Sequence, residues 1–252
     1  MNQGANFKDH FSRDAATYRA YRPTYPDALF AWLASQAPAH DLAWDCATGN
    51  GQAAAGLAPH FARMVATDAS EQQIAATVAV PGVEFLVATA EDSGLGQGTV
   101  DLISVAQAAH WFDHAAFHAE AIRVLRPGGI LAVWAYGLMS VSPAVDGVIE
   151  QLYATTLGPY WPAERRHIDR RYLDLPFPFA PLPTPEFAMR AEWTLDHLLG
   201  YLGSWSAVRA YRDRTGKDPL PGVRESLHRT WGDQTRHQVH WPLYLKVGRA
   251  PR

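Results

Sequence analysis

The sequence predicts an α/β fold: a mostly parallel sheet with helices on both faces. Two observations predict it. Short apolar strands alternate with helical segments from residue 42 to residue 136. The first strand also runs directly into a glycine turn and a helix, Trp44-Asp45-Cys46-Ala47-Thr48-Gly49-Asn50-Gly51-Gln52. Alternating units of this length place successive strands side by side in parallel. A strand, a glycine turn and a helix start form a site for the polar part of a nucleotide-like ligand, and the glycines let it approach the backbone. Asp45 is the odd feature, because an acid there repels a pyrophosphate and suits a cationic or amine-bearing ligand.

The elements follow in order. Residues 1–25 carry Phe7, Phe11, Tyr18, Tyr21 and Tyr25, too many aromatics for a disordered tail, so they read as an ordered arm. Pro26 opens a helix from Asp27 to Ala34. Leu42–Cys46 is strand one and Gln52–His60 the first crossover helix. Arg63–Thr67 is strand two, ending at Asp68. Ser70 caps a helix over 71–78. Val83–Val87 is strand three, with Ala90-Glu91 after its end. Val100–Val105 is strand four. Asp113 caps a helix to Leu125, which Pro127-Gly128-Gly129 terminates. Ile130–Ala135 is strand five, a continuous apolar run suited to a buried parallel strand.

After Tyr136 the rhythm changes. Residues 143–157 read as helical. Residues 158–185 are rich in proline and aromatics, which suits a cap over one end of the sheet. Glu186–Thr194 alternates as a strand does. Asp196–Leu202, Ser206–Arg214 (with Ser204 as its cap) and 222–230 read as helices. His237–Val247 suits an antiparallel edge strand.

Composition bounds the function. The net charge of −3 does not favour a polyanionic partner such as nucleic acid. One cysteine leaves no internal disulfide and fits a reducing cytoplasm. The charged N-terminus is no signal peptide, and no uncharged apolar run is long enough to span a membrane. Nine Trp, ten Tyr and ten Phe exceed what a plain α/β core needs, which points to an aromatic-lined pocket or lid.

Five features fall in one order: Asp45-x-x-x-Gly49-x-Gly51, Asp68, Ala90-Glu91, Gln107-Ala108-Ala109-His110-Trp111-Phe112, and Arg126-Pro127-Gly128-Gly129. Together they resemble the class I S-adenosylmethionine-dependent methyltransferases of the type 11 group. Tyr21-Arg22-Pro23-Thr24-Tyr25-Pro26 upstream, and Leu199 to Ser206 downstream, are similar to the trans-aconitate methyltransferase-like branch. The chain departs from the family at Ala47, where glycine is usual.

The resemblance implies one domain with a Rossmann-like, mostly parallel seven-stranded sheet. Residues 1–38 form the arm and first helix, 40–136 the cofactor core, 140–185 a cap, and 186–252 the C-terminal strands and helices. It implies S-adenosyl-L-methionine as cofactor and a small-molecule acceptor, with a carboxylic acid as the expected class. Asp45, Ala47, Thr48, Gly49, Asn50 and Gly51 would hold the methionine part. Asp68 with Ala69 would take the ribose, Ala90 and Glu91 would lie at the adenine edge, and Gln107 beside the sulfonium. The arm would cover the cofactor, with Tyr18 or Arg22 near its carboxylate. His110, Trp111 and Tyr21 are the candidates for chemistry: they orient an anionic acceptor, or His110 serves as base for a hydroxyl or amine.

Other readings compete. Gly49-x-Gly51-x-x-Ala54 also fits a nicotinamide-dinucleotide variant, although no hydride-transfer constellation accompanies it. A cofactor-binding module without turnover is the other rival. His110, His114 and His118 have metal-like spacing, but Asp113 as cap puts His110 outside the helix, so no metal is expected. Cys46 is a packing residue. The basic run Arg165-Arg166-His167 and Arg170-Arg171 is a solvated face, a clamp for an anionic substrate, or a nucleic-acid patch.

Overall fold

The computed structural model describes residues 21–251; the arm before them, Tyr18 included, lies outside the described residues. The strands are β1 (Leu42–Cys46), β2 (Arg63–Asp68), β3 (Val83–Val87), β4 (Val100–Ala106), β5 (Leu125–Tyr136), β6 (Ala188–Trp193) and β7 (His237–Arg249). The helices are α1 (Asp27–Gln36), α2 (Gln52–Leu57), α3 (Glu71–Ala75), α4 (His114–Val124), α5 (Pro143–Glu150), α6 (Arg166–Asp169), α7 (Leu195–Gly203), α8 (Ser206–Thr215) and α9 (Leu220–Trp231).

The seven strands form one mixed sheet in the order β3-β2-β1-β4-β5-β7-β6. Strands β1 to β5 are parallel, while β7 runs antiparallel to both β5 and β6. The expected antiparallel strand is therefore present but is not the edge. It lies inside, and β6 closes that side. Strand order reverses between β1 and β4, which opens a crevice at their C-terminal ends.

Strands β1, β2, β4 and β5 divide their side chains between two cores. Ala43, Met64, Leu102, Ile130, Ala132 and Trp134 face one core, with α1, α2 and the C-terminal helices. Trp44, Val65, Ile103, Leu131 and Val133 face the other, with Phe117 and Val124 of α4. The segment expected to cap the sheet contributes to both. Val145, Ile149, Leu152 and Leu157 enter the first core, and Ile168, Tyr172, Leu175 and Phe179 enter the second. It thus passes from one face to the other as a strap.

Several boundaries differ from expectation. Strand β5 starts at Leu125, because Val100 pairs with Leu125 and Leu102 with Ile130, so Pro127-Gly128-Gly129 bulges out within the strand. The first crossover helix tightens to a 3-10 turn at Ala58–His60, where Pro59 sits. Helix α3 stops at Ala75. Ser204 does not cap α8; its hydroxyl donates to the Tyr201 carbonyl at 2.6 Å and closes α7 instead.

Asp101 ties the strand starts together. Its Oδ2 accepts the backbone N–H groups of Asp41 and Leu42 at 2.8 and 2.9 Å. Arg126 Nη1 lies 2.8 Å from Oδ1 as an ion pair, without hydrogen-bond alignment. Asp101→Ala strips partners from all three groups, a loss of about 3 kcal/mol. Thermal unfolding followed by circular dichroism should show Tm falling by roughly 6–12 °C. An unchanged Tm would mean that this buried carboxylate contributes nothing.

Candidate functional site

The loop after β1 is built on Asp45, which is 1% exposed. Its Oδ2 accepts from the Thr48 hydroxyl at 2.5 Å and from the Ala54 backbone N–H at 3.2 Å. Its Oδ1 accepts from the Ser104 hydroxyl of β4 at 2.6 Å. Burial outweighs these hydrogen bonds and pushes the Asp45 carboxyl up to about 6. The side chain is engaged by the protein, so Asp45 shapes the loop.

Within the loop, Ala47, Gly49 and Gly51 take φ values of +54°, +54° and +83°. Ala47 therefore occupies a left-handed conformation that favours glycine. At Gly51 a Cβ would also meet the Phe85 ring of β3 at 3.1 Å. At Gly49 a Cβ would meet nothing within 4 Å among the described residues, so this edge of the loop faces open space. Asn50 is half-buried between the two glycines. The Thr48 backbone N–H donates to the Thr67 carbonyl at 2.8 Å, which ties the loop to β2.

Asp68, at the end of β2, accepts from the Gly49 N–H and the Ser70 N–H, each at 2.9 Å. Ala69 is half-buried beside it. Ala90 is buried in the second core, and Glu91 accepts from the Asp113 N–H at 3.2 Å, at the start of α4. These residues ring the C-terminal ends of β1, β2 and β3.

A second group gathers at the ends of β4 and β5. Gln107 has φ +57°, and its side-chain amide makes two hydrogen bonds to the backbone of Tyr136, at 3.2 and 3.3 Å. It prolongs the pairing of β4 and β5 by one side chain while the main chain turns away. Beside it lies a cavity of about 70 Å³ lined by Arg22, Gln107, His110, Trp111, Tyr136, Trp161, Arg165, Tyr201 and Trp205, among others. Arg22 donates to the Tyr136 hydroxyl at 2.8 Å and stacks over the Tyr201 ring at 5.0 Å. Arg165 donates to the Tyr153 hydroxyl at 3.0 Å and lies 4.8 Å from the Trp161 ring centre. His110 Nδ1 is 2.7 Å from the Tyr172 hydroxyl. Burial, with Arg165 next, holds His110 down at about 3, so the ring is neutral at physiological pH.

The sequence-expected residues thus divide. Arg22, Gln107, His110 and Trp111 converge on the cavity. Tyr21 does not line it: its ring packs where Gly200 has no side chain and meets His197 edge-on at 5.0 Å, both on α7. Of the basic run, Arg165 turns inward, whereas Arg166 and Arg170 are exposed and Arg170 pairs with Asp174. Tyr136, Tyr172, Tyr201, Trp161 and Trp205 went unassigned in the sequence. The aromatic excess was their signal, but it does not say which rings gather. No group of three or more potential metal-binding side chains clusters among the described residues. Nor is any helix among them long and apolar enough to cross a membrane.

A family profile for the methyltransferase domain matches residues 44–133, from β1 to β5. A protein of Dictyostelium discoideum assigned as a methyltransferase is 35% identical over 247 residues, spanning 95% of this chain and 94% of that one. The chain belongs to the S-adenosylmethionine-dependent methyltransferases. A protein from Anaeromyxobacter dehalogenans assigned as a type II methyltransferase has a solved structure that superposes with a TM-score of 0.87. It is 46% identical, with 92% of this chain and all of that one covered. An uncharacterised methyltransferase of Mycobacterium tuberculosis is 36% identical over 126 residues, about half of either chain.

In this methyltransferase the left-handed backbone at Ala47 strains a non-glycine residue by roughly 1–2 kcal/mol, part of which glycine would return to the unfolded chain as entropy. Ala47→Gly should therefore stabilise the fold by about 1 kcal/mol and raise Tm by about 2–4 °C in differential scanning calorimetry. A lower Tm would show that the Ala47 methyl contributes packing worth more than the strain.

Proposed function

We propose that this methyltransferase transfers the methyl group of S-adenosylmethionine to a carboxylate oxygen of a small acidic acceptor, as the trans-aconitate-like branch it resembles does. The observation that carries the reading is the cavity at the ends of β4 and β5. It brings two guanidinium groups, Arg22 and Arg165, together with an uncharged histidine. Cationic donors suit an anionic acceptor. A histidine held at about 3 is far too weakly basic to deprotonate a hydroxyl or ammonium group near neutrality. A carboxylate needs no such base.

The cofactor supplies an activated methyl group on a cationic sulfur. In this reading the protein aligns and desolvates. Ala47–Gly51 hold its methionine part. Asp68, set against the loop by the Gly49 and Ser70 N–H groups at the end of β2, takes the ribose hydroxyls. Ala90 and Glu91 border the adenine, and Gln107 sets the end of β4 against that of β5 beside the sulfonium. Open space at Gly49 and the engaged Asp45 below it suit a ligand lying along the backbone. Arg165 orients the acceptor. Tyr153 holds Arg165 in turn, since its hydroxyl accepts from the guanidinium and donates to Asp169 at 2.5 Å. Trp161, Tyr201 and Trp205 wall the cavity, which suits a small-molecule acceptor. The buried single thiol of Cys46 fits a cytoplasmic setting.

Labelled methyl transfer to a panel of small carboxylic acids, phenols, alcohols and amines at neutral pH tests this. Acids should be labelled and the others not. Arg165→Gln should raise KM for the acid about tenfold to a hundredfold with a smaller change in kcat. Labelled phenols or amines with unlabelled acids would contradict the reading.

A further inference from the structure

We infer that Tyr172 is a positioning residue that fixes His110 in its Nε2–H form, so that His110 offers the acceptor a hydrogen-bond donor and no base. The catalytic consequence rests on the carboxylate reading above; the tautomer itself does not.

Tyr172 is fully buried, in the second core. A buried phenol proton needs an acceptor. Among the described residues the one hydrogen-bond partner of the Tyr172 side chain's hydroxyl, apart from the His110 backbone amide, is His110 Nδ1 at 2.7 Å. The amide is itself a donor, so it cannot receive the phenol proton. The O–H therefore donates to Nδ1, Nδ1 accepts, and the proton of the neutral ring resides on Nε2. Nε2 makes no hydrogen bond among the described residues, and His110 lines the cavity. Burial lowers the histidine and raises the phenol, so both partners stay neutral.

The backbone bears a cost to aim this ring. Arg171 and Tyr172 are consecutive non-glycine residues with φ of +57° and +56°. The Tyr172 N–H donates to the His167 carbonyl at 2.7 Å and the Arg171 N–H to that of Ile168 at 2.8 Å, closing the turn. Arg171 and Leu173 on either side are exposed, Leu173 at 77%, while Tyr172 between them is buried. Strain of this kind persists where surrounding structure enforces it, and here it delivers one hydroxyl to one imidazole nitrogen.

The chemistry follows. With Nε2 already protonated and Nδ1 sealed against Tyr172, the imidazole has no accessible lone pair. An acceptor that must lose a proton finds no base in His110. A carboxylate needs none. One of its oxygens supplies the electron pair for the new O–C bond, the S–C bond breaks with its pair left on the neutral sulfur, and no proton moves. The Nε2–H can steady the carboxylate's other oxygen throughout. Tyr172 thereby selects for acceptors that arrive as anions.

The test is two-bond ¹H–¹⁵N correlation spectroscopy of the uniformly ¹⁵N-labelled protein, with the His110 ring assigned by loss of its signals in His110→Gln. The expected pattern is that of a protonated Nε2 and a bare Nδ1, unchanged across neutral pH. In Tyr172→Phe, which keeps the ring and its packing, the pattern should become a mixture of tautomers, and kcat/KM for an acid acceptor should fall about tenfold. A protonated Nδ1 in the wild type overturns the inference, as does a single unchanged Nε2–H form in Tyr172→Phe. Because the spectrum needs no acceptor, an Nε2–H ring beside failed acid methylation would sink the carboxylate reading and leave the lock in place.

Discussion

Everything at the cofactor end of this molecule depends on one buried carboxylate. Asp45 binds the Thr48 hydroxyl of its own loop, the first turn of α2 through Ala54, and the neighbouring strand through Ser104. Three donors converge on it, yet burial still leaves the carboxyl raised to about 6. For a carboxyl raised above its unfolded value, the stability it contributes is present below about 4 and declines as pH rises through about 6. At neutral pH the fold therefore holds this ionised carboxylate at a cost relative to its protonated form. What it gains is a loop whose left-handed turns at Ala47, Gly49 and Gly51 have a single arrangement, with Asp68 set against it.

The acceptor end is organised differently. It is held by aromatic packing and by the strap that crosses from one core to the other. The strap carries Arg165 of the cavity and Tyr172, the partner of His110, both C-terminal to all the cofactor motifs in sequence. The two ends meet at Gln107, which bonds the end of β5 and lines the cavity. A displacement of the strap would move the cation and the histidine's partner together. In the proposed reading the shared fold sets the methyl donor, while the strap sets what receives the methyl group.

The parallel half was legible because its signals are local. Leu42–Cys46 and Val83–Val87 are bounded as the pattern predicts; the first is buried throughout, as a central parallel strand is, while the second is a largely exposed edge strand. Ser70 and Asp113 cap their helices by accepting N–H groups two or three residues on, a signal that never leaves the segment. Ala47 was legible as a departure, and its left-handed φ supplies the physical reason why glycine is usual there. What stayed hidden depends on distant partners. Pro127-Gly128-Gly129 reads as a stop until β4 is seen to pair on both sides of it. Tyr21 reads as a site aromatic until Gly200 offers a notch for its ring. Arg165 is one of five basic residues in a run, and only the fold turns it inward. Tyr172 has no motif at all, because its partner lies 62 residues away.

The claim that carries the rest is that the loop held by Asp45 receives the cofactor. Calorimetric titration of S-adenosylmethionine into the wild type and into Asp45→Asn tests it most directly, with circular dichroism confirming that the variant is folded. Saturable heat is expected for the wild type and an affinity weaker by at least about tenfold in the variant, the loss of roughly one charge-assisted hydrogen bond's hold on the loop. Equal affinity in the two proteins, or no heat in the wild type, would contradict it.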